Sequence, residues 1–419
     1  VTEGKEAPSI PVTEEKEASS LHFIAHKGRA AHFMPFWPSP CTFTLIQGWS
    51  KEDTFKLERA VKAVAMANPV LTGKAEVVRG PQGPIIRVVA SDHKQELFKA
   101  IAPPKNTPSP KGLSDSKLLE YMDRYVTPLV EPLENVGELI KDAKPMFQME
   151  LIELPDNHAV YVMRLSHCVG DGITYYHLMQ QLNAAFHSKK PKPYIDWDDS
   201  STATHEIYCP EFNEFDFQTS YGLPFFVGAT RNILDMESRP PGYLIMSNDE
   251  VQSKRKELCD SSKHRFLSAN DVITASLCGA IRSSDVINFT MDMRKKNRHL
   301  GGNFYREVPF DRKAVDGDPN RFRSILEKGH YYERGQVPLY PSLLGRVGRV
   351  TSLASIVRWI EGENQTVLCH CLPKTFGRNV PLDVGFVFRM NKDKYVILHN
   401  YKELEIEEGG LLQEVVGKD

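Results

Sequence analysis

Residues Met146–Phe186 read, in order, as strand, tight turn, strand, glycine-bracketed loop and helix, and that order limits the folds open to the chain. Met146–Leu154 and Ala159–His167 are apolar runs of strand length. The connector Pro155-Asp156-Asn157-His158 is made of residue types that close tight turns. Leu178, Leu182, Ala185 and Phe186 then mark one face of a helix. Between strand and helix stands His167-Cys168-Val169-Gly170-Asp171-Gly172. A neutral imidazole at a strand end can take a proton from a hydroxyl, amine or thiol near pH 7, because its ordinary pKa is about 6.5. Asp171 is placed to point away from a cavity and pair with an arginine. The two glycines permit sharp backbone angles and close approach of a substrate. The same string also fits a hydrogen-bonded histidine with no chemical task.

The rest of the chain mixes hairpins with helices. Cys41–Gly48 alternates like a half-buried strand. Ser50 with Asp53 offers a helix start, Leu57, Val61, Val64 and Ala65 recur at helical spacing, and Asn68-Pro69 ends the run. Lys74–Arg79 and Pro84–Ala90 read as a hairpin. Ser268 and Asp271 form a second capping pair, ahead of Ile273, Leu277, Ala280 and Ile281. Val286–Met293, Val367–Leu372, Asp383–Met390 and Tyr395–Asn400 read as strands, and Leu344–Ile360 as a helix. No internal repeat appears, and there is no regular βαβ rhythm. The expected class is therefore α/β of the mixed α+β kind, with two lobes and mixed sheets. The expected division is a disordered tail over 1–20, an N-terminal lobe over 21–190, a connection over 191–250 and a C-terminal lobe over 251–419.

Composition narrows the function. The 419 residues carry a formal net charge of -2, which argues against a nucleic-acid partner. Arg294-Lys295-Lys296 with Arg298 reads as a solvated loop. No apolar stretch approaches the roughly 20 residues of a transmembrane helix. Seven cysteines, an odd number over a long chain, read as reduced thiols. Cys369-His370-Cys371 lacks a second ligand pair and reads as buried strand, so no metal is expected. His22, His26 and His32 read as packing or channel-lining groups. The chain opens on Val1, and the expected location is the cytoplasm, or an organelle after loss of a leader.

His167, Asp171 and Gly172 resemble the HxxxDG signature of the CoA-dependent acyltransferase superfamily. That group includes chloramphenicol acetyltransferase, the plant-type BAHD acyltransferases and the condensation domains of peptide synthetases. Two further segments are similar to family features. Asn288-Phe289-Thr290-Met291-Asp292-Met293-Arg294, followed by Gly302-Asn303, resembles the family's Asp-x-Arg strand with its downstream Gly-Asn. Asp383-Val384-Gly385-Phe386-Val387 stands in the place of the BAHD motif DFGWG. The resemblance runs over roughly Leu21–Asn400.

The resemblance implies two chloramphenicol-acetyltransferase-like lobes around a central inter-lobe channel. His167 would be the catalytic general base, reached by the acyl donor from one face and the acceptor from the other. Asp171 and Gly172 would be structural, with Arg294 as the salt-bridge partner of Asp171. Asp383 would be structural too, and Gly385 would permit a close turn. Acyl-CoA would be the co-substrate, with no permanently bound cofactor and no covalent acyl-enzyme. The acceptor would be a small, apolar alcohol or amine, and the protein a monomer. The chain departs from the pattern at Phe386, which replaces a Trp and cannot donate a hydrogen bond. Ser166 stands where condensation domains carry a first His. Two alternatives stay open: a catalytically silent binding or assembly subunit, and a condensation-type enzyme with a carrier-bound donor.

Overall fold

The computed structural model describes residues 39–80, 83–89, 96–130, 136–142, 144–192, 241–261, 266–292, 294, 301–302, 305–332, 347–378 and 383–415, and the backbone of 22–27. The 1–20 tail, His32, most of the 191–250 connection, Lys295, Lys296, Arg298 and Asn303 lie outside the described residues.

Three sheets organise the chain. The first has five strands in the order β12-β2-β7-β6-β5. These are β2 (Cys41–Gln47), β5 (Phe98–Ile101), β6 (Phe147–Leu154), β7 (His158–Leu165) and β12 (Thr366–Cys371). The second has seven strands in the order β10-β9-β11-β13-β14-β8-β15. These are β8 (Gly242–Ser247), β9 (Val286–Asp292), β10 (Tyr305–Asp311), β11 (Val347–Ser352), β13 (Asp383–Arg389), β14 (Lys394–His399) and β15 (Gln413–Glu414). A small sheet joins β1 (His22–Lys27), β4 (Gly83–Val89) and β3 (Lys74–Gly80). Both large sheets are mixed: β11 runs parallel to β9 and β13, β5 runs parallel to β6, and the other pairs are antiparallel.

Helices cover the sheets. The α-helices of the described residues are α1 (Lys51–Ala67), α2 (Asp115–Tyr121), α3 (Val136–Lys141), α4 (Gly172–Phe186), α5 (Asn248–Ser261), α6 (Ala269–Ala280), α7 (Arg312–Val315), α8 (Pro319–Lys328) and α9 (Lys374–Arg378). Local chemistry sets their ends. Ser50 and Asp53 close a reciprocal capping box on α1, and Ser268 and Asp271 do the same on α6. The β6–β7 connector takes Asp156 and Asn157 to φ values of 58° and 56°, the left-handed pair of a type I′ hairpin that Asn and Asp tolerate.

Burial divides into two cores. One joins α1, α4 and the five-stranded sheet through residues such as Leu57, Val61, Phe43, Val162 and Leu182. The other joins α6 and α8 to the seven-stranded sheet through Ile273, Leu277, Ile287, Phe310 and Phe322. The architecture is thus a mixed α/β fold of two lobes.

Two segments depart from the sequence reading. Residues 347–352, inside the expected helix 344–360, form the parallel strand β11. Within this strand Arg349 is buried against Glu307. Gly348 is also fitted to the sheet: an added Cβ would meet Ser284 Oγ at 2.9 Å. The expected C-terminal lobe also does not stay in one sheet. β12 crosses back to pair with β2, while β8, inside the expected connection, enters the seven-stranded sheet. His370 explains part of the crossing, because its hydrogen-bond partners, Thr44 and Tyr176, stand in the first lobe.

Candidate active site

His167 lies in the turn that follows β7. Ser166 opens that turn by donating its N–H to Met146 O, and Val169 N–H closes it on Ser166 O. The ring has Nδ1 buried and meets Tyr305 edge-on at 6.3 Å between centroids. Four residues on, Asp171 caps α4, its Oδ1 accepting from Thr174 N–H at 3.1 Å. An anionic cap suits the positive end of a helix.

Arg294 locks this turn to the second lobe. Its guanidinium is fully buried and grips Asp171 with two bonds, Nη1 to Oδ2 at 2.9 Å and Nη2 to Oδ1 at 2.8 Å. It also donates to Asp292 Oδ1 at 2.9 Å, Gly302 O at 2.8 Å and Thr174 Oγ1 at 3.1 Å. Thr174 donates to Gly302 O at 2.9 Å and accepts from its N–H at 3.1 Å. Such bidentate, charge-assisted geometry is strong and directional. Burial alone would lower the Arg294 pKa, but the Asp171 and Asp292 carboxylates outweigh it and raise it. Burial holds Asp292 above its ordinary value, with Arg294 only partly opposing the shift.

The glycines serve packing rather than backbone angle. Neither Gly170 nor Gly172 has a positive φ. A Cβ on Gly170 would meet Thr174 Cβ at 2.5 Å, and one on Gly172 would meet Leu353 Cδ2 at 2.6 Å. The close approach is therefore that of the protein's own chain.

His167, Asp171 and Gly172 line a cavity of about 570 Å³. Its walls come from both lobes: Thr42, Tyr175 and Tyr176 from the first, and Thr290, Tyr305, Glu307, Arg349 and Phe386 from the second. Asp171 therefore both lines this wall and pairs with Arg294 behind it. Tyr175 and Tyr176 are anchored beneath the wall. Tyr175 OH lies 2.6 Å from Thr42 Oγ1 and donates to Met163 O, while Tyr176 OH lies 2.7 Å from His370 Nε2. His370 is buried in a wholly internal setting that lowers its pKa to about 3, so it is neutral at pH 7.

The sequence-expected residues fall into two groups. His167, Asp171, Gly172 and Arg294 come together. Asp383 and Gly385 are not among the cavity-lining residues. Asp383 accepts from Ser283 and Ser284 hydroxyls at 3.3 Å. Gly385 sits inside β13, not in a turn, and is tight because Leu277 and Tyr401 press on it at 2.9 and 3.1 Å from an added Cβ. Thr174 was missed, although its place at the third residue of a helix opened by Asp-Gly signals a capping role. Tyr305, Glu307 and Arg349 left no sequence signal, since only the folding of β10 and β11 side by side with β9 brings them to the cavity. Among the described residues no cluster of His, Cys, Asp and Glu could hold a metal ion, and no helix is long and apolar enough to cross a membrane.

Comparisons with known proteins agree with this architecture. No family model and no curated protein sequence matches the chain. Solved structures do match. TRI101 of F. sporotrichioides, complexed with coenzyme A and T-2, gives a TM-score of 0.61 at 12% identity, covering 91% of this chain and 94% of that one. The first condensation domain of the CDA synthetase gives 0.55 at 11% identity, covering 91% of each chain. Polyketide synthase associated protein 5 from Mycobacterium tuberculosis gives 0.54 at 14% identity, covering 91% and 92%. With two lobes, mixed sheets and likeness to these structures over nine-tenths of its length, the chain has the fold of the CoA-dependent acyltransferases and condensation domains.

Proposed function

We propose that the protein transfers an acyl group from acyl-CoA to a hydroxyl or amine of a small acceptor, with His167 as general base. The observation that carries this reading is the position of His167: its ring opens on an inter-lobe cavity while the Asp171–Arg294 clamp holds the turn beside it. In this reading Nε2, rather than the buried Nδ1, meets the acceptor. Nε2 takes the acceptor's proton as its oxygen or nitrogen bonds to the thioester carbonyl carbon. The tetrahedral intermediate then breaks its C–S bond, and the departing sulfur takes the proton from the imidazolium. The products are acylated acceptor and free coenzyme A, with no bond to the protein. Positioned proton transfer of this kind contributes about 10²–10⁴-fold. The clamp supports it by holding the turn in one geometry. Similarity to TRI101, whose structure contains both coenzyme A and a small molecule, supports a CoA thioester as donor.

Similarity to a condensation domain favours one rival, a donor carried on a protein-bound pantetheine. Incubation with a panel of acyl-CoAs, carrier thioesters, alcohols and amines, followed by mass spectrometry, separates the two. Acylated product from CoA thioesters is the expected result. Product from carrier thioesters alone would transfer the reading to the rival, and no product from either would leave a binding subunit.

A further inference from the structure

The cavity wall contributed by β10 and β11 carries a buried ion pair that the proposed transfer chemistry does not use. Glu307 on β10 and Arg349 on β11 are 4% and 6% exposed, and both line the cavity. Glu307 Oε1 lies 2.5 Å from an Arg349 Nη2, yet the contact is not aligned as a hydrogen bond, and Oε2 has no hydrogen-bond partner among the described residues. A buried carboxylate oxygen left so costs stability unless something else completes it. Beside the pair, Thr290 and Thr351 hydroxyls sit 3.0 Å apart on the same wall. Glu307 follows Tyr305 by two residues on β10, so both side chains stand on one face, about 7 Å apart along the strand. Tyr305 in turn touches the His167 ring. The pair therefore stands within one small molecule's length of the proposed base.

We infer that Glu307 and Arg349 form an acceptor subsite that binds a second, non-reacting hydroxyl of a neutral polyhydroxylated substrate. The inference rests on the acyl-transfer reading for the word acceptor, but not for the binding itself. The chemistry of the pair selects the class. A hydroxyl both donates and accepts, so it can give its proton to Glu307 Oε2 and receive one from a guanidinium N–H. An ammonium group would be repelled by Arg349, and a carboxylate by Glu307. The remaining charges on the wall are already engaged: Arg294 holds Asp171 and Asp292, and Arg358 donates to the Val357 carbonyl. The acceptor that fits this subsite has an apolar body and a polar far end.

The test is direct binding of four compounds on one rigid scaffold to the full chain by titration calorimetry: 1-adamantanol, 1,3-adamantanediol, 1-adamantanamine and 1-adamantanecarboxylate. The diol is expected to bind about 10-fold or more tightly than the mono-ol, as a hydrogen bond to a charged group allows, and more tightly than the amine or the acid. The ranking in the wild-type protein needs no variant. Removing one partner of a buried pair endangers folding, so the variant is the double replacement Glu307→Leu with Arg349→Met, which conserves volume and leaves no lone charge. It is expected to abolish the diol's advantage. Equal or weaker binding of the diol, absence of binding by both alcohols, preference for the amine or acid, or a diol preference that survives in the double variant would each overturn the subsite. Turnover is read separately: a protein with this binding order but no acyl transfer keeps the subsite and loses the reaction, whereas equal kcat/KM for mono-ol and diol keeps the reaction and loses the subsite.

Discussion

Arg294 is the residue on which the geometry of the site turns. It is fully buried and bridges Asp171, Asp292, Thr174 and Gly302. Removing one side of a buried ion pair leaves uncompensated charge, so Arg294→Ala should cost about 3–5 kcal/mol in urea unfolding. Arg294→Lys keeps the charge and loses the two-pronged grip, so it should fold better than the alanine variant yet remain well below wild type in turnover. A lysine variant with wild-type turnover would contradict the clamp. Gly170→Ala tests the packing beside it. The new Cβ falls 2.5 Å from Thr174 Cβ, so the variant should lose about 1–3 kcal/mol by overpacking and loosen the Thr174–Gly302 bonds. Unchanged stability would show that Thr174 can yield. The sequence made His167, Asp171 and Gly172 legible because they are contiguous and chemically distinctive. It could not make Glu307 legible, since a buried acid reads locally as a solvated one.

At the scale of elements, β12 is the strand whose placement has a measurable signature. It carries His370 into the first lobe between Thr44 and Tyr176, where burial lowers its pKa from 6.5 to about 3. His399 on β14 is lowered to about 4, by burial first and by the charge of Lys374 second. In the unfolded chain both rings protonate near their ordinary value, while in the folded chain they stay neutral. The stability this contributes is whole above about pH 6.5 and is lost as pH falls toward 4 and 3. Each histidine should cost roughly 2 kcal/mol between pH 6.5 and 5.0. Urea midpoints across that window should fall more steeply for wild type than for His370→Gln, and equal slopes would mean that His370 is not shielded as described. Capping boxes and the β6–β7 turn were readable because short-range chemistry decides them. β11 was misread because its inward face carries Arg349 and Thr351, which hide the alternation that marks a strand.

For the whole molecule, the decisive feature is that neither core is sequence-contiguous. The first draws Cys369, Cys371, Val384, Phe388 and Val396 from the C-terminal part of the chain, and β11 and β13 place Leu353 and Phe386 between the lobes. Calorimetric unfolding should therefore show one cooperative transition, and two well-separated ones would mean that the lobes stand alone. Two lobes and mixed sheets could be anticipated from the absence of a βαβ rhythm, but the β12 crossing could not, because pairing over such a separation leaves no local mark. The crossing matters for function, since it ties together the lobes that share the cavity. The proposed transfer depends on His167. Thiol release from the preferred acyl-CoA at saturating acceptor should drop about 10²–10⁴-fold in kcat for His167→Ala, with KM for acyl-CoA within a few-fold of wild type. Equal kcat in the two proteins would contradict it.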